Sequence, residues 1–167
     1  AMQALEQCRS LLVVCNTKKE AAYLFEQLQA ADCLCFHLSA AMCVEHRRKT
    51  LQALQAALGA LPGGGRRVVC VSTQVIEAGV DISFQQVIRF SAGMDSVVQA
   101  AGRCNRHAEQ AAPAPVCIVR CTDERLRGLS DIVRGQNATT ALLTAFSREP
   151  EKFRHDLSSE EAIGFYY

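Results

Sequence analysis

The stretch Leu11-Leu-Val-Val-Cys15-Asn-Thr17-Lys-Lys-Glu20-Ala-Ala-Tyr-Leu24-Phe25-Glu-Gln-Leu28 decides the fold class. Leu11 to Cys15 is an unbroken apolar run, as in a strand covered on both faces. Thr17 and Glu20 have the spacing of a capping box, in which a hydroxyl and a carboxylate satisfy free amides of a first helical turn. Ala21, Leu24, Phe25 and Leu28 follow at spacings of three and four, giving one apolar helix face. A buried strand that runs directly into an amphipathic helix is the repeating unit of an α/β fold.

The same alternation continues outward from this stretch. Cys33 to Leu38 is a second strand candidate, and Val44, Leu51, Leu54 and Leu58 line a second helix that Leu61-Pro-Gly-Gly-Gly65 interrupts. Arg67 to Val71, Gln86 to Phe90 and Val116 to Val119 read as three more strands. Asp95 or Ser96 is placed to cap a helix running to about Cys104, and Asp123 to Arg134 reads as a further helix. The chain from about 136 onward reads as helical and then irregular. This order predicts an α/β architecture, a parallel sheet with helices on both faces. It also predicts one domain over residues 1–147, with 148–167 a linker or the start of a following segment.

Composition narrows the class. The chain has 167 residues, 49% hydrophobic and 21% charged, which suits one buried core and excludes disorder. A net charge of +1 gives no global basic field, so any nucleic-acid contact must be local. No apolar run approaches the ~20 residues of a membrane span, and no signal peptide is read at the N-terminus. Nine scattered cysteines, an odd number, argue against a secreted disulfide framework and for a reducing, cytoplasmic setting.

Two segments carry the chemistry. In Gln99-Ala-Ala-Gly-Arg103-Cys-Asn-Arg106, a continuous helix would put Gln99, Arg103 and Arg106 on one face, at i, i+4 and i+7. Two guanidiniums on one stripe suit phosphate oxygens, and a cationic pair aimed at a transferring phosphoryl group acts as an arginine finger. In Val71-Ser72-Thr73-Gln74-Val-Ile-Glu-Ala-Gly79-Val-Asp81-Ile82, a buried strand ends in hydroxyl and amide groups suited to nucleic-acid phosphates. Gly79 relaxes the backbone before Asp81, whose carboxylate suits a ribose hydroxyl or can hold Arg103 or Arg106.

Together the runs STQVIEAGVDISF and MDSVVQAAGRCNRH resemble motifs V and VI of superfamily 2 helicases. Their wording resembles one branch, the CRISPR-associated helicase-nuclease of type I systems. LLVVCNTKKEA is similar to that family's motif IV, and HLSAAMCVEHRRKTL to its segment rich in leucine, serine and arginine. The resemblance implies the second RecA-like domain of an ATP-dependent helicase. It implies that Arg103 and Arg106, with Gln99, face the terminal phosphate of ATP, and that Gly79 and Asp81 face the nucleotide. It implies that Ser72, Thr73, Gln74, Asn16 and Thr17 lie along single-stranded DNA. Implied partners are a preceding RecA-like domain in cis, an RNA-guided surveillance complex and a separate nuclease domain. Two other readings stay open from residues alone, a protein-docking module and half of a different superfamily 2 helicase.

Half of an ATP site is missing from the sequence. A phosphate loop needs G-x-x-x-x-G-K-[S/T], and neither Lys49-Thr50 nor Gly63-Gly64-Gly65 supplies it. No Walker B acidic strand end is present either, so ATP and Mg²⁺ are expected mainly on the preceding domain, and this domain alone is expected to be inactive. Cys33, Cys35 and His37, with Cys43 and His46, pattern as a weak zinc candidate, but the expectation is no metal. Arg47-Arg48-Lys49 reads as a solvated helix face, a phosphate contact or an intramolecular pair.

Overall fold

A computed structural model describes residues 2–76 and 81–167. The first strand, β1 (Ser10–Val14), is buried along its whole length, as its apolar run requires. It lies at the centre of a five-stranded sheet ordered β2-β3-β1-β4-β5, with β2 at Leu34–Leu38, β3 at Val68–Ser72, β4 at Gln86–Phe90 and β5 at Val116–Val119. Every pairing is parallel, with Val13 opposite Val71 on one side and Ile88 on the other. The chain is therefore α/β, and the strand positions expected from sequence hold to within a residue.

The helices cover both faces. On one face α1 (Met2–Gln7) and α2 (Lys18–Leu28) pack over Leu11, Val13, Cys15, Val69, Val71 and Ile88. On the other, α3 (Val44–Gly59) and α4 (Met94–Ala101) pack over Leu12, Val14, Val68, Cys70 and Val87. Alternate residues of β1 thus serve opposite cores, as the two-residue period of a strand dictates. The capping box on α2 is formed as the spacing predicts: Glu20 N donates to Thr17 Oγ1 and Thr17 N to Glu20 Oε2, both at 3.2 Å.

Two helix expectations are corrected. The helix expected to run from Asp95 or Ser96 to Cys104 is α4, which starts at Met94 behind Gly93, without a side-chain cap, and stops at Ala101. The helix expected over Asp123 to Arg134 instead begins at Ser130 and continues to Arg148 as α5, because residues 121–129 form turns that include Gly128 at φ +84°. Past α5, a 3-10 turn (Pro150–Phe153) and α6 (Glu160–Tyr166) fold back on it around Leu142, Phe153 and Ala162.

α5 meets α4 through glycine. A Cβ on Gly135 would stand 2.8 Å from the backbone N and Cα of Gly93, so the two backbones touch. Gly135→Ala should therefore lower stability by about 1–3 kcal/mol through overpacking. Gly164→Ala on α6 has open space at that position and should raise stability by about 0.4–1 kcal/mol. Urea denaturation midpoints of the two variants check both signs.

Candidate functional site

The residues singled out in the sequence divide between two places. One is the edge where β1 and β3 end. The other is the turn after α4, which contains Arg103 and Arg106.

That turn is not helical, so the single stripe expected for Gln99, Arg103 and Arg106 does not form. The helix ends because the chain finds better hydrogen bonds elsewhere. Phe84 N donates to Arg103 O at 2.9 Å and Asn105 N to Phe84 O at 2.8 Å, a parallel bridge to the segment before β4. Asn105 turns through left-handed space (φ +46°), which asparagine tolerates, and its amide exchanges bonds with the Gln110 backbone at 2.9 and 3.0 Å. Gln99 stays on α4, exposed.

The bridge gives the two arginines different surroundings. Arg103 is only 6% exposed, and its Nε donates to the Ile76 carbonyl at 3.1 Å. Burial lowers its pKa, the nearby Arg106 charge lowers it further, and Asp81 opposes both. Arg106 is exposed. Its Nε donates to Asp81 Oδ1 at 3.0 Å, its Nη1 to the Gly102 carbonyl at 3.2 Å, and its backbone N to Ser83 Oγ at 3.0 Å. His107 Nε2 lies 3.5 Å from the same carboxylate oxygen. Of the two arginines open to Asp81 in the sequence reading, it is Arg106 that this carboxylate holds. Asp81 also borders a cleft of about 630 Å³ whose mixed lining includes Arg9, Gln55, Leu58, Ile82 and His107. Gly79 lies outside the described residues.

At the strand edge the side chains differ sharply in what they can still donate. Ser72 is fully buried and its hydroxyl donates to the Thr73 carbonyl at 2.7 Å. Thr73 is 5% exposed, and its own hydroxyl has no hydrogen-bond partner among the described residues. Gln74 is exposed on a 3-10 turn (Gln74–Ile76). Asn16 is 5% exposed, and both hydrogens of its amide are committed, one to the Ser91 carbonyl at 2.8 Å and one to Glu124 Oε1 at 2.7 Å. Thr17 is half-buried as the N-cap of α2, beside exposed Lys18 and Lys19. Sequence reasoning missed Arg89, Glu124 and Gln136 around Asn16, because no local pattern marks residues brought together across more than seventy positions.

The remaining candidates have ordinary roles. Cys33 and Cys35 thiols point to the carbonyls of Leu28 and Phe25, and His37 packs edge-on against Phe25 with its pKa lowered by burial. Among the described residues no three side chains form a group able to hold a metal ion. Arg48 and Lys49 pair with Glu45 on an exposed helix face. No described helix is long and apolar enough to cross a membrane.

Residues 7–109 match the family model of the C-terminal region of the CRISPR-associated nuclease/helicase Cas3. The chain belongs to that family. Its 49-residue match to Cas3 of Haloferax volcanii is 57% identical and covers 29% of this chain and 5% of that protein. The crystal structure of T. fusca Cas3 superposes with a TM-score of 0.70 at 22% identity, covering 83% of this chain and 18% of that one. A CRISPR RNA-guided surveillance complex, described as pre-nicking, contains a chain with a TM-score of 0.66 at 20% identity, covering 93% of this chain and 21% of that one. The chain thus spans about a fifth or less of the length of these three proteins. Family and structural likeness agree on a RecA-like helicase fold.

The two arginines should separate in a stability measurement. Arg103→Ala strips a buried donor from the Ile76 carbonyl and leaves a gap, and should cost about 2–4 kcal/mol. Arg106→Ala and Asp81→Ala break only exposed contacts, the Arg106–Asp81 pair with the Gly102 bond or the His107 contact beside it, and should each cost under about 1 kcal/mol. Denaturant melts of the three variants check the contrast.

Proposed function

We propose that this domain is the C-terminal RecA-like half of an ATP-dependent motor that moves on single-stranded DNA in CRISPR antiviral defence. The observation that carries the reading is the exposed Arg106, whose guanidinium rests on the exposed Asp81 carboxylate at the rim of a cleft. An exposed ion pair is worth little, so a phosphate can displace Asp81 from Arg106 at small cost. Asp81 is then free to accept from a ribose hydroxyl.

ATP fits this half-site in chemistry. A polyphosphate needs cationic donors and a ribose needs an acceptor, and Arg106 and Asp81 offer one of each. ATP, with Mg²⁺, supplies the phosphoryl group whose hydrolysis drives movement, and the phosphate loop that holds both belongs to the preceding domain in cis. Structures of T. fusca Cas3 with ATP, AMPPNP and ADP support a nucleotide-dependent parent. Arg106 serves as the arginine finger. Arg103 positions the finger turn by tying it to the 3-10 turn after β3, and Gln99 is assigned to the nucleotide by resemblance. Gly79 is proposed at the nucleotide by resemblance alone.

The second surface meets the DNA backbone. Thr17 and the exposed lysines at the positive end of α2, with Thr73 and Gln74 after β3, suit phosphates and carry no base specificity. Ser72 and Asn16 support that edge from below. A surveillance complex that recruits the parent and a separate nuclease domain that degrades the strand complete the proposed setting. Without a phosphate loop the domain by itself neither binds ATP tightly nor turns it over.

Arg106→Ala in the intact parent should reduce DNA-stimulated ATP hydrolysis by about 10³-fold or more while leaving the fold in place. Steady-state turnover against circular dichroism measures both. Turnover within tenfold of wild type would remove the finger role and leave Arg106 as a surface residue.

A further inference from the structure

The Asn16 side chain lies at the mouth of the proposed DNA edge, yet it has no hydrogen left to donate to a phosphate. Its amide sits between opposite charges. Oδ1 accepts from Arg89 Nη1 at 2.7 Å, and Nδ2 donates to Glu124 Oε1 at 2.7 Å and to Ser91 O at 2.8 Å. A guanidinium can only donate and a carboxylate can only accept, so the amide has one permitted orientation. Turning it over would place N–H against N–H and oxygen against oxygen. Charge on both sides also strengthens each bond beyond that of a neutral pair.

Four parts of the chain meet in this cluster. Arg89, fully buried on β4, also donates from Nη1 to Phe90 O at 2.8 Å and to Val14 O at 3.4 Å. Glu124 comes from the turns before α5. Gln136 comes from α5 itself, and its Nε2 donates to Glu124 Oε2 at 2.9 Å and to the same Ser91 carbonyl at 2.8 Å. Asn16 is the last residue before the α2 cap. Arg89 and Glu124 are seventy-three and one hundred and eight positions away from it.

We propose that Arg89, Glu124 and Gln136 are positioning residues that lock Asn16, and through it the β1–α2 turn, in the pose that presents Thr17, Lys18 and Lys19 to a nucleic-acid backbone. Asn16 is the keystone of that turn and not a ligand of the DNA. The proposal rests on the DNA-edge reading above. It also gives α5 a means to act on DNA affinity without touching DNA, since Gln136 holds the far oxygen of the carboxylate that holds Asn16.

The sign of one substitution separates positioning from a simple field effect. Glu124 is an anion near the proposed phosphate path, beside Glu20, whose pKa is raised by burial first and by Glu124 as well. If Glu124 acted only through its charge, Glu124→Gln would tighten DNA binding. Positioning requires the opposite.

The test is DNA-stimulated ATP hydrolysis by the intact parent helicase, titrated with a single-stranded oligonucleotide. Glu124→Gln and Gln136→Ala should each raise the half-saturating DNA concentration about three- to tenfold, with most of the change there and not in kcat. Glu124→Asp, which keeps the charge, should recover part of the loss. Gln136→Ala changes no charge and sits at a half-buried helix position, so it carries the test if Glu124→Gln lowers the unfolding midpoint. Lys18→Ala with Lys19→Ala is the control for the edge itself. If the lysine variant weakens DNA binding while the Glu124 and Gln136 variants leave it unchanged or tighten it, the edge stands and the positioning role is overturned. If the lysine variant has no effect either, the edge reading fails and the positioning role fails with it.

Discussion

Two backbone hydrogen bonds between Phe84 and the turn after α4 decide the shape of the proposed nucleotide face. They stop a helix that sequence spacing would let run on, and they swing Arg103 and Arg106 to opposite fates. Arg103 goes inward to the Ile76 carbonyl, which ties the turn after α4 to the turn after β3. Arg106 goes outward to Asp81. In a motor, the part that senses the phosphate and the part that touches the track must move together. In this domain the buried Arg103 guanidinium bonds the turn after α4 to the turn after β3.

The division of labour follows from burial. A buried guanidinium is costly to strip of its acceptors, so Arg103, bonded through Nε to the Ile76 carbonyl, and Arg89, bonded through Nη1 to the Asn16 amide oxygen and the Phe90 carbonyl, are held in place. An exposed one loses little by changing partners, and only Arg106 of the motif arginines is so placed. The same distinction sorts the strand edge. Ser72 and Asn16 spend their donors inside the protein, while Gln74, Lys18 and Lys19 keep theirs at the surface.

Much of this was legible in the sequence, and for definite reasons. The central strands β1 and β3 announced themselves because parallel strands buried on both faces read as near-continuous apolar runs, and Gln86–Phe90 and Val116–Val119 match to the residue. The capping box on α2 was legible because it is local, three residues from Thr17 to Glu20. The end of α4 was not, because Phe84 wins the contest from about twenty positions away. The Arg89–Asn16–Glu124–Gln136 cluster was also out of reach: each residue taken alone reads as an ordinary surface or strand position. Motif wording told which residue types gather at the site, but could not tell which side chains remain free to act.

The central claim is that this domain supplies one half of an ATP site and needs the other half to work. The most direct measurement is ATP hydrolysis with single-stranded DNA present, by this domain alone and by the same domain joined to the RecA-like domain that precedes it. The account predicts no turnover above background from the domain alone, and DNA-dependent turnover once the two are joined. Turnover by the isolated domain, or none by the joined pair when both are folded, would contradict it.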